Sequence, residues 1–205
     1  EDYAEAASVI IERRIADVYR EYQARLHKAG AMDFDDLLGL TVELFRRRPD
    51  VLEAYQQRFT HVLVDEYQDT NPVQNDLVVM LGEQHRNVTV VGDGDQSIYA
   101  FRGADMSNIL EFERAFPDAS VVVLAQNYRS TQNILDAANA VIANNTSRKP
   151  KELFSEGVRG EKIVRYSAED ESEESHWVTS EIQRLHSGGD LRWGDVAVFY
   201  RTNAQ

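Results

Sequence analysis

The sequence predicts an α/β protein with parallel sheets flanked by helices, preceded by an all-helical stretch. Two observations carry this. Four short β-branched runs, "HVLVDE" (61–66), "VTVVGD" (88–93), "SVVVLA" (120–125) and "DVAVFY" (195–200), are of the buried-strand kind. Helical stretches separate them, the βαβ alternation that gives parallel sheets with functional loops at the carboxyl ends of strands.

Taken in order, Tyr3, Ala7, Ile11, Ile15, Val18, Tyr22 and Leu26 recur every three or four residues and mark one long amphipathic helix ending near Ala29 and Gly30. Asp33 is the expected N-cap of a second helix, in which Phe34, Leu37, Leu38, Thr41, Leu44 and Phe45 keep the same period until Pro49. A shorter helix follows around Val51 to Tyr55. After the first strand, Pro72 suits a first helical turn behind Thr70 and Asn71. "SNILEFERAF" and "STQNILDAANAVIANN" have expected caps at Ser107 and at Ser130 or Thr131. Residues 144–160 are polar, turn-rich and locally basic, and read as a linker or surface excursion. The acidic run 169–174 reads as a solvated helix start, where carboxylates favour the helix dipole.

With 205 residues, 42% of them apolar, the chain holds enough material for one generous domain or two small ones. No apolar run approaches the roughly eighteen residues that cross a bilayer, and no signal peptide is visible, so no membrane partner and a cytoplasmic location are expected. The absence of cysteine excludes disulfides and thiolate metal sites. A formal net charge of −13 argues against a surface basic all over but leaves room for a local basic groove.

"VLVDEYQDT" (62–70) sets Asp65 and Glu66 side by side at the carboxyl end of a strand, where like charges repel. Such a pair suits a metal and a water: in nucleotide hydrolysis one carboxylate holds Mg²⁺ while the other orients or deprotonates the attacking water. A strand that merely ends in acidic loop residues is the plain alternative. At the next strand exit, "VVGDGDQSIYAFRGAD" (90–105) brings Gln96, Tyr99, Phe101 and Arg102 close together. A Gln amide can sense a phosphate oxygen, and aromatics beside an Arg can stack on single-stranded bases; otherwise Tyr99 and Phe101 are core aromatics. In "LAQNYRST" (124–131), Tyr128 can stack on a nucleobase and Arg129 can neutralise charge on a transferring phosphoryl group.

In this order and spacing the segments resemble the superfamily 1 DNA helicases of the UvrD, PcrA and Rep type. "VLVDEYQDTNPVQ" is similar to their Walker B motif, "VVGDGDQSIYAFRGAD" to their third motif, "LAQNYRST" to their fourth, and "DVAVFYRTNAQ" to the segment named after it. "MDFDDLL" (32–38) resembles the stretch leading from an inserted helical subdomain back into the first motor domain.

The resemblance implies parts of two RecA-like (P-loop NTPase) domains: residues 1–31 the tail of a helical insertion, 32–117 the later half of the first motor domain, and 118–205 the first part of the second. It implies ATP and Mg²⁺ as cofactors, with Asp65 and Glu66 at the metal, Glu66 acting on water, and Gln96 at the γ-phosphate. Tyr128 would pack on adenine and Arg129 reach the γ-phosphate, while Tyr99, Phe101, Arg102, Arg201 and Asn203 would meet DNA. Many relatives carry Trp where this chain has Phe101, which implies somewhat weaker stacking. The implied activity is ATP-driven 3′ to 5′ movement on single-stranded DNA and unwinding at duplex–single-strand junctions, alongside repair or replication proteins.

No G-x-x-x-x-G-K-[ST] loop occurs in the chain, although the family's ATPase needs one to cradle phosphates. The expectation is a piece of a longer helicase that does not hydrolyse ATP alone. A truncated relative that binds DNA or a partner without turnover is one alternative. A nuclease using Asp65, Glu66 and Asp69 is another, and it leaves Gln96, Tyr128 and Arg129 without roles.

Overall fold

The structure is a computed structural model describing residues 10–105, 107–146, 148, 151–189 and 191–202. Two compact units emerge, one of Glu1–Leu124 with Asn145–Pro150 and the other of Ala125–Asn144 with Lys151–Gln205. No helix among the described residues is long and apolar enough to cross a membrane.

In the first unit, α1 (Ile10–Ala29) ends where Gly30 takes φ +62°, a left-handed position that costs glycine little. Tyr3 and Ala7 of its expected stripe lie outside the described residues. Of the rest of that stripe, Ile11, Ile15, Val18 and Tyr22 stay open to solvent, Val18 at 70% exposure, Leu26 is half-buried, and Ala16 is the helix's buried residue. The period fixed the helix without fixing a partner for its face. Helix α2 (Phe34–Arg47) starts at the expected cap: Asp33 Oδ1 accepts from Asp36 N–H at 2.9 Å, and Asp36 Oδ2 accepts from Asp33 N–H at 3.2 Å. Proline opens α3 (Pro49–Arg58), whose Tyr55 ring lies 5.5 Å from Phe45 of α2.

Strand β1 (Val62–Val64) pairs in parallel with β2 (Val88–Val90), in the register Val62↔Val88, Leu63↔Thr89, Val64↔Val90. The crossover is α4 (Pro72–Gly82), capped by Asn71 in a reciprocal pair with Gln74. One face of the strands meets Tyr67, Phe112 and Phe116, with Val64, Val78, Val79, Val88, Val90 and Ile109 packed around them. Leu63, pointing the other way by the period of two, is 77% exposed. Phe112 and Phe116 come from α5 (Ser107–Ala115) and the residue after it. Ser107, expected as the cap of α5, is its first residue instead, and the Asp105 carboxylate accepts the Ser107 N–H at 2.8 Å. Nδ2 of the buried Asn108 donates to Thr70 O at 2.8 Å, tying α5 to the turn after β1.

Two of the four expected strands do not form. Val121–Leu124 and Val196–Tyr200 carry no ladder, and Val122 and Phe199 are 76% and 94% exposed. β-branched runs favour an extended backbone, but a strand exists only where neighbouring N–H and C=O groups pair with it, and among the described residues these runs have no such neighbour.

In the second unit, Gln126 and Phe154 form one parallel bridge. Asn139 of α6 (Gln132–Ile142) holds the same returning segment through both ends of its amide, donating to Leu153 O at 2.8 Å and accepting from Leu153 N–H at 3.1 Å. Thr131 is the N-cap of α6, one of the two expected residues. The acidic run does start a helix, α7 (Glu171–Ser187), with Asp170 Oδ1 accepting from Glu173 N–H at 2.8 Å. Trp177 of that helix stacks on Tyr166 with ring centres 4.7 Å apart.

Candidate functional site

The pleat of β1 delivers Asp65 and Glu66 to its carboxyl end, both exposed. Glu66 adopts φ 51°, ψ 43°, a left-handed conformation that side chains other than Gly, Asn and Asp seldom take. That turn ends the strand and starts the 3₁₀ turn Tyr67–Asp69, in which Tyr67 is 1% exposed beside an exposed Glu66. Strain of this kind persists where surrounding contacts over-determine it, and here they do. The Tyr67 N–H donates to Val91 O at 2.9 Å, and its hydroxyl donates to buried Asn75. Burial, with the Glu111 charge adding to it, pushes the Tyr67 phenol up to about 12.

Gln68, also 1% exposed, joins this exit to the next. Its Nε2 donates to Glu66 Oε2 at 2.7 Å and more weakly to Asp69 Oδ2 at 3.4 Å. Its Oε1 accepts from Asp93 N–H at 2.9 Å. Asp93 in turn shapes the turn Gly94–Gln96: Oδ1 accepts from Asp95 N–H at 3.0 Å and Oδ2 from Gln96 Nε2 at 2.8 Å. The structure therefore brings Asp65, Glu66 and Gln96 together at adjacent strand ends. The sequence reading missed Gln68 and Asp93, although Gln68 lies inside the quoted motif, two residues after the acid pair.

Beyond Gln96 the chain turns through Ala100–Arg102, closed by Gly103 at φ +84°. Tyr99 and Phe101 ring centres lie 5.9 Å apart, and the Arg102 guanidinium carbon sits 5.1 Å from the first and 5.5 Å from the second. Phe101 is 78% exposed, which removes the core-aromatic reading for that residue. A cation against two rings, one of them open, offers π faces and positive charge to a flat anionic chain. In the same unit Arg148 grips Asp95 with Nη2 to Oδ2 at 2.7 Å and Nε to Oδ1 at 3.0 Å, so this part of the expected surface excursion is largely withdrawn from solvent.

In the second unit Tyr128 is 86% exposed, its hydroxyl donating to Gln126 Oε1 at 2.8 Å. The Arg129 side chain is exposed, and the Asn127 amide oxygen accepts the Arg129 and Ser130 N–H groups at 2.9 and 2.7 Å, presenting both side chains at the start of α6. Arg201 is exposed there, and Asn203 lies outside the described residues.

The donor set at the β1 exit is all oxygen. Among the described residues no three His, Asp or Glu side chains converge into a metal cage, yet Asp69 Oδ1 is buried beside the acid pair with no hydrogen-bond partner. The two adjacent exposed carboxylates of Asp65 and Glu66 suit a hard cation that takes most of its ligands from waters and phosphate oxygens, as Mg²⁺ does.

Two family models divide the chain between them: the UvrD/REP helicase N-terminal domain matches residues 3–117 and the UvrD-like helicase C-terminal domain residues 122–205. The chain is 52% identical over its whole length to the ATP-dependent DNA helicase PcrA of Leuconostoc citreum, covering 27% of that protein. Against PcrA of Bacillus subtilis (strain 168) it is 50% identical over its whole length, covering 28%. Against the ATP-dependent DNA helicase UvrD1 of Mycobacterium tuberculosis (strain H37Rv) it is 52% identical over 94% of the chain, covering 26%. With both halves matched, and with the acid pair and the Gln96 turn side by side, the chain belongs to the UvrD/REP helicase family.

Proposed function

We propose that this chain is the central part of an ATP-dependent DNA helicase, carrying the hydrolytic acids, the phosphate-sensing glutamine and part of the single-strand grip. The carrying observation is the hydrogen-bonded junction of the two strand exits, Glu66 to Gln68 to Asp93 to Gln96, in a chain of this family. Residues 1–31, 32–117 and 118–205 are then a helical-insertion tail and portions of two RecA-like motor domains.

Asp65 holds the cation, and Glu66 takes the proton of the water that attacks the γ-phosphorus as the bond to the β-phosphate oxygen breaks. Bound Mg²⁺ offsets the repulsion between the paired acids and the charge on the phosphates. Gln96 donates to a γ-phosphate oxygen, Tyr128 packs on adenine, and Arg129 neutralises charge developing on the phosphoryl group. Tyr99, Phe101 and Arg102, with Arg201 and Asn203, hold the single strand, and ATP turnover moves the protein along it 3′ to 5′ toward duplex junctions. Repair or replication in the cytoplasm is the setting this activity serves.

The 205 residues alone contain no phosphate-cradling loop, so the isolated chain does not hydrolyse ATP. The test is single-strand-stimulated ATP turnover by the full polypeptide carrying this sequence, with and without Glu66→Gln. Loss of turnover with ATP still bound is expected; undiminished turnover in the variant rejects the reading.

A further inference from the structure

We propose that Gln68 is a positioning residue for this hydrolytic site, fastening the carboxylate of Glu66 to the turn that carries Gln96 so that the two loops hold one geometry. The inference rests on the proposed roles of Glu66 and Gln96. Gln68 touches neither water nor nucleotide in this scheme, being 1% exposed.

The amide orientation follows from its partners. Oxygen faces the Asp93 N–H at 2.9 Å and nitrogen faces the Glu66 and Asp69 carboxylates, so reversing it would set donor against donor and acceptor against acceptor. Both ends of one rigid planar group are thus committed, one to each strand exit. The path continues without a gap, because the same Asp93 that donates its N–H to Gln68 accepts the Gln96 side chain on Oδ2. A Gln96 drawn toward a phosphate shifts Asp93, and Asp93 is the residue that anchors the amide orienting Glu66. The main chain is fitted to this arrangement as well: a Cβ at Gly92 would lie 2.9 Å from Gln68 Oε1 and 3.3 Å from Gln68 N and Tyr67 Cβ.

Such support differs from a buried polar anchor that only adds stability. Groups that orient a reacting side chain typically cost about 10- to 100-fold in activity when removed, while substrate still binds. The experiment uses the full polypeptide and compares Gln68→Met, which keeps length and bulk but makes neither bond, with Gly92→Ala, which displaces the same amide from a residue without a functional group.

For both variants kcat of single-strand-stimulated ATP hydrolysis falls by about 10-fold or more, while KM for ATP and the Kd for a dT oligonucleotide stay within about twofold. A kcat that stays within about twofold in either folded variant, or a fall matched by an equal rise in KM, overturns the proposal. Glu66→Gln, run alongside, separates the two claims. If it leaves turnover intact, the proposed function fails; if it abolishes turnover while Gly92→Ala does not touch kcat, only the role of Gln68 fails.

Discussion

Arg148 and Asp95, 53 residues apart in sequence, form a two-pronged ion pair whose side chains are 15% and 12% exposed. Arg148 comes from the Asn145–Pro150 stretch, which belongs to the first unit although the residues on either side of it belong to the second. A fork matched to a carboxylate at this depth is more than a surface pair, because removing either side chain deletes charge-assisted hydrogen bonds where water screens them little. Arg148→Ala and Asp95→Ala should each destabilise the protein by about 2 to 3 kcal/mol, and the double variant by clearly less than the sum. Urea unfolding of the four proteins reads this directly. Additive losses would mean that the pair contributes nothing as a pair.

Phe101 sets packing against recognition. Being 78% exposed, it has little burial to lose, so Phe101→Ala should leave the unfolding midpoint nearly unchanged. If a base stacks on its ring beside Tyr99 and Arg102, single-strand affinity should weaken by about 1 to 3 kcal/mol. Anisotropy titration of a labelled dT oligonucleotide decides it. Unchanged affinity would remove Phe101 from the DNA contact.

What the sequence made legible was local. The cap at Asp33, the proline at the head of α4 and the two apolar runs that became β1 and β2 each depend on residues within one turn or one strand. The acid pair and Gln96 were visible as chemistry at strand exits for the same reason. Gln68 was not, because its meaning comes from Asp93, 25 positions on, and only the parallel register sets those two side by side. Val121–Leu124 failed in the opposite sense. Its composition asks for a strand, but pairing is a property of neighbours, and the run's exposure of 61–77% shows none covering it.

Arg129 separates chemistry from grip. Its side chain is exposed at the start of α6, held there by the Asn127 turn rather than by its own packing. Arg129→Lys keeps the charge but loses the planar fork, so turnover should fall by about 10-fold or more with single-strand affinity nearly intact. Steady-state ATPase and oligonucleotide binding on the same preparation make the comparison. Equal losses in both would transfer Arg129 from the phosphate to the DNA.

Tyr67 supplies a pH test of the core beneath the acid pair. Its phenol is pushed from 10.0 up to about 12, by burial first and then by the Glu111 charge. The native state therefore holds this proton more tightly than the unfolded chain does. The contribution is intact below pH 10, where both states are protonated, and it is lost as pH rises from about 10 through about 12, a change of about 2 to 3 kcal/mol. Tyr67→Phe cannot ionise, but it leaves Asn75 without the hydroxyl it accepts from, a buried deficit of about 1 to 3 kcal/mol at neutral pH. The variant should start less stable at pH 8 and lose less between pH 10 and 12, so the two urea midpoints draw together. Midpoints that keep a constant separation across that range would assign the alkaline sensitivity to other groups.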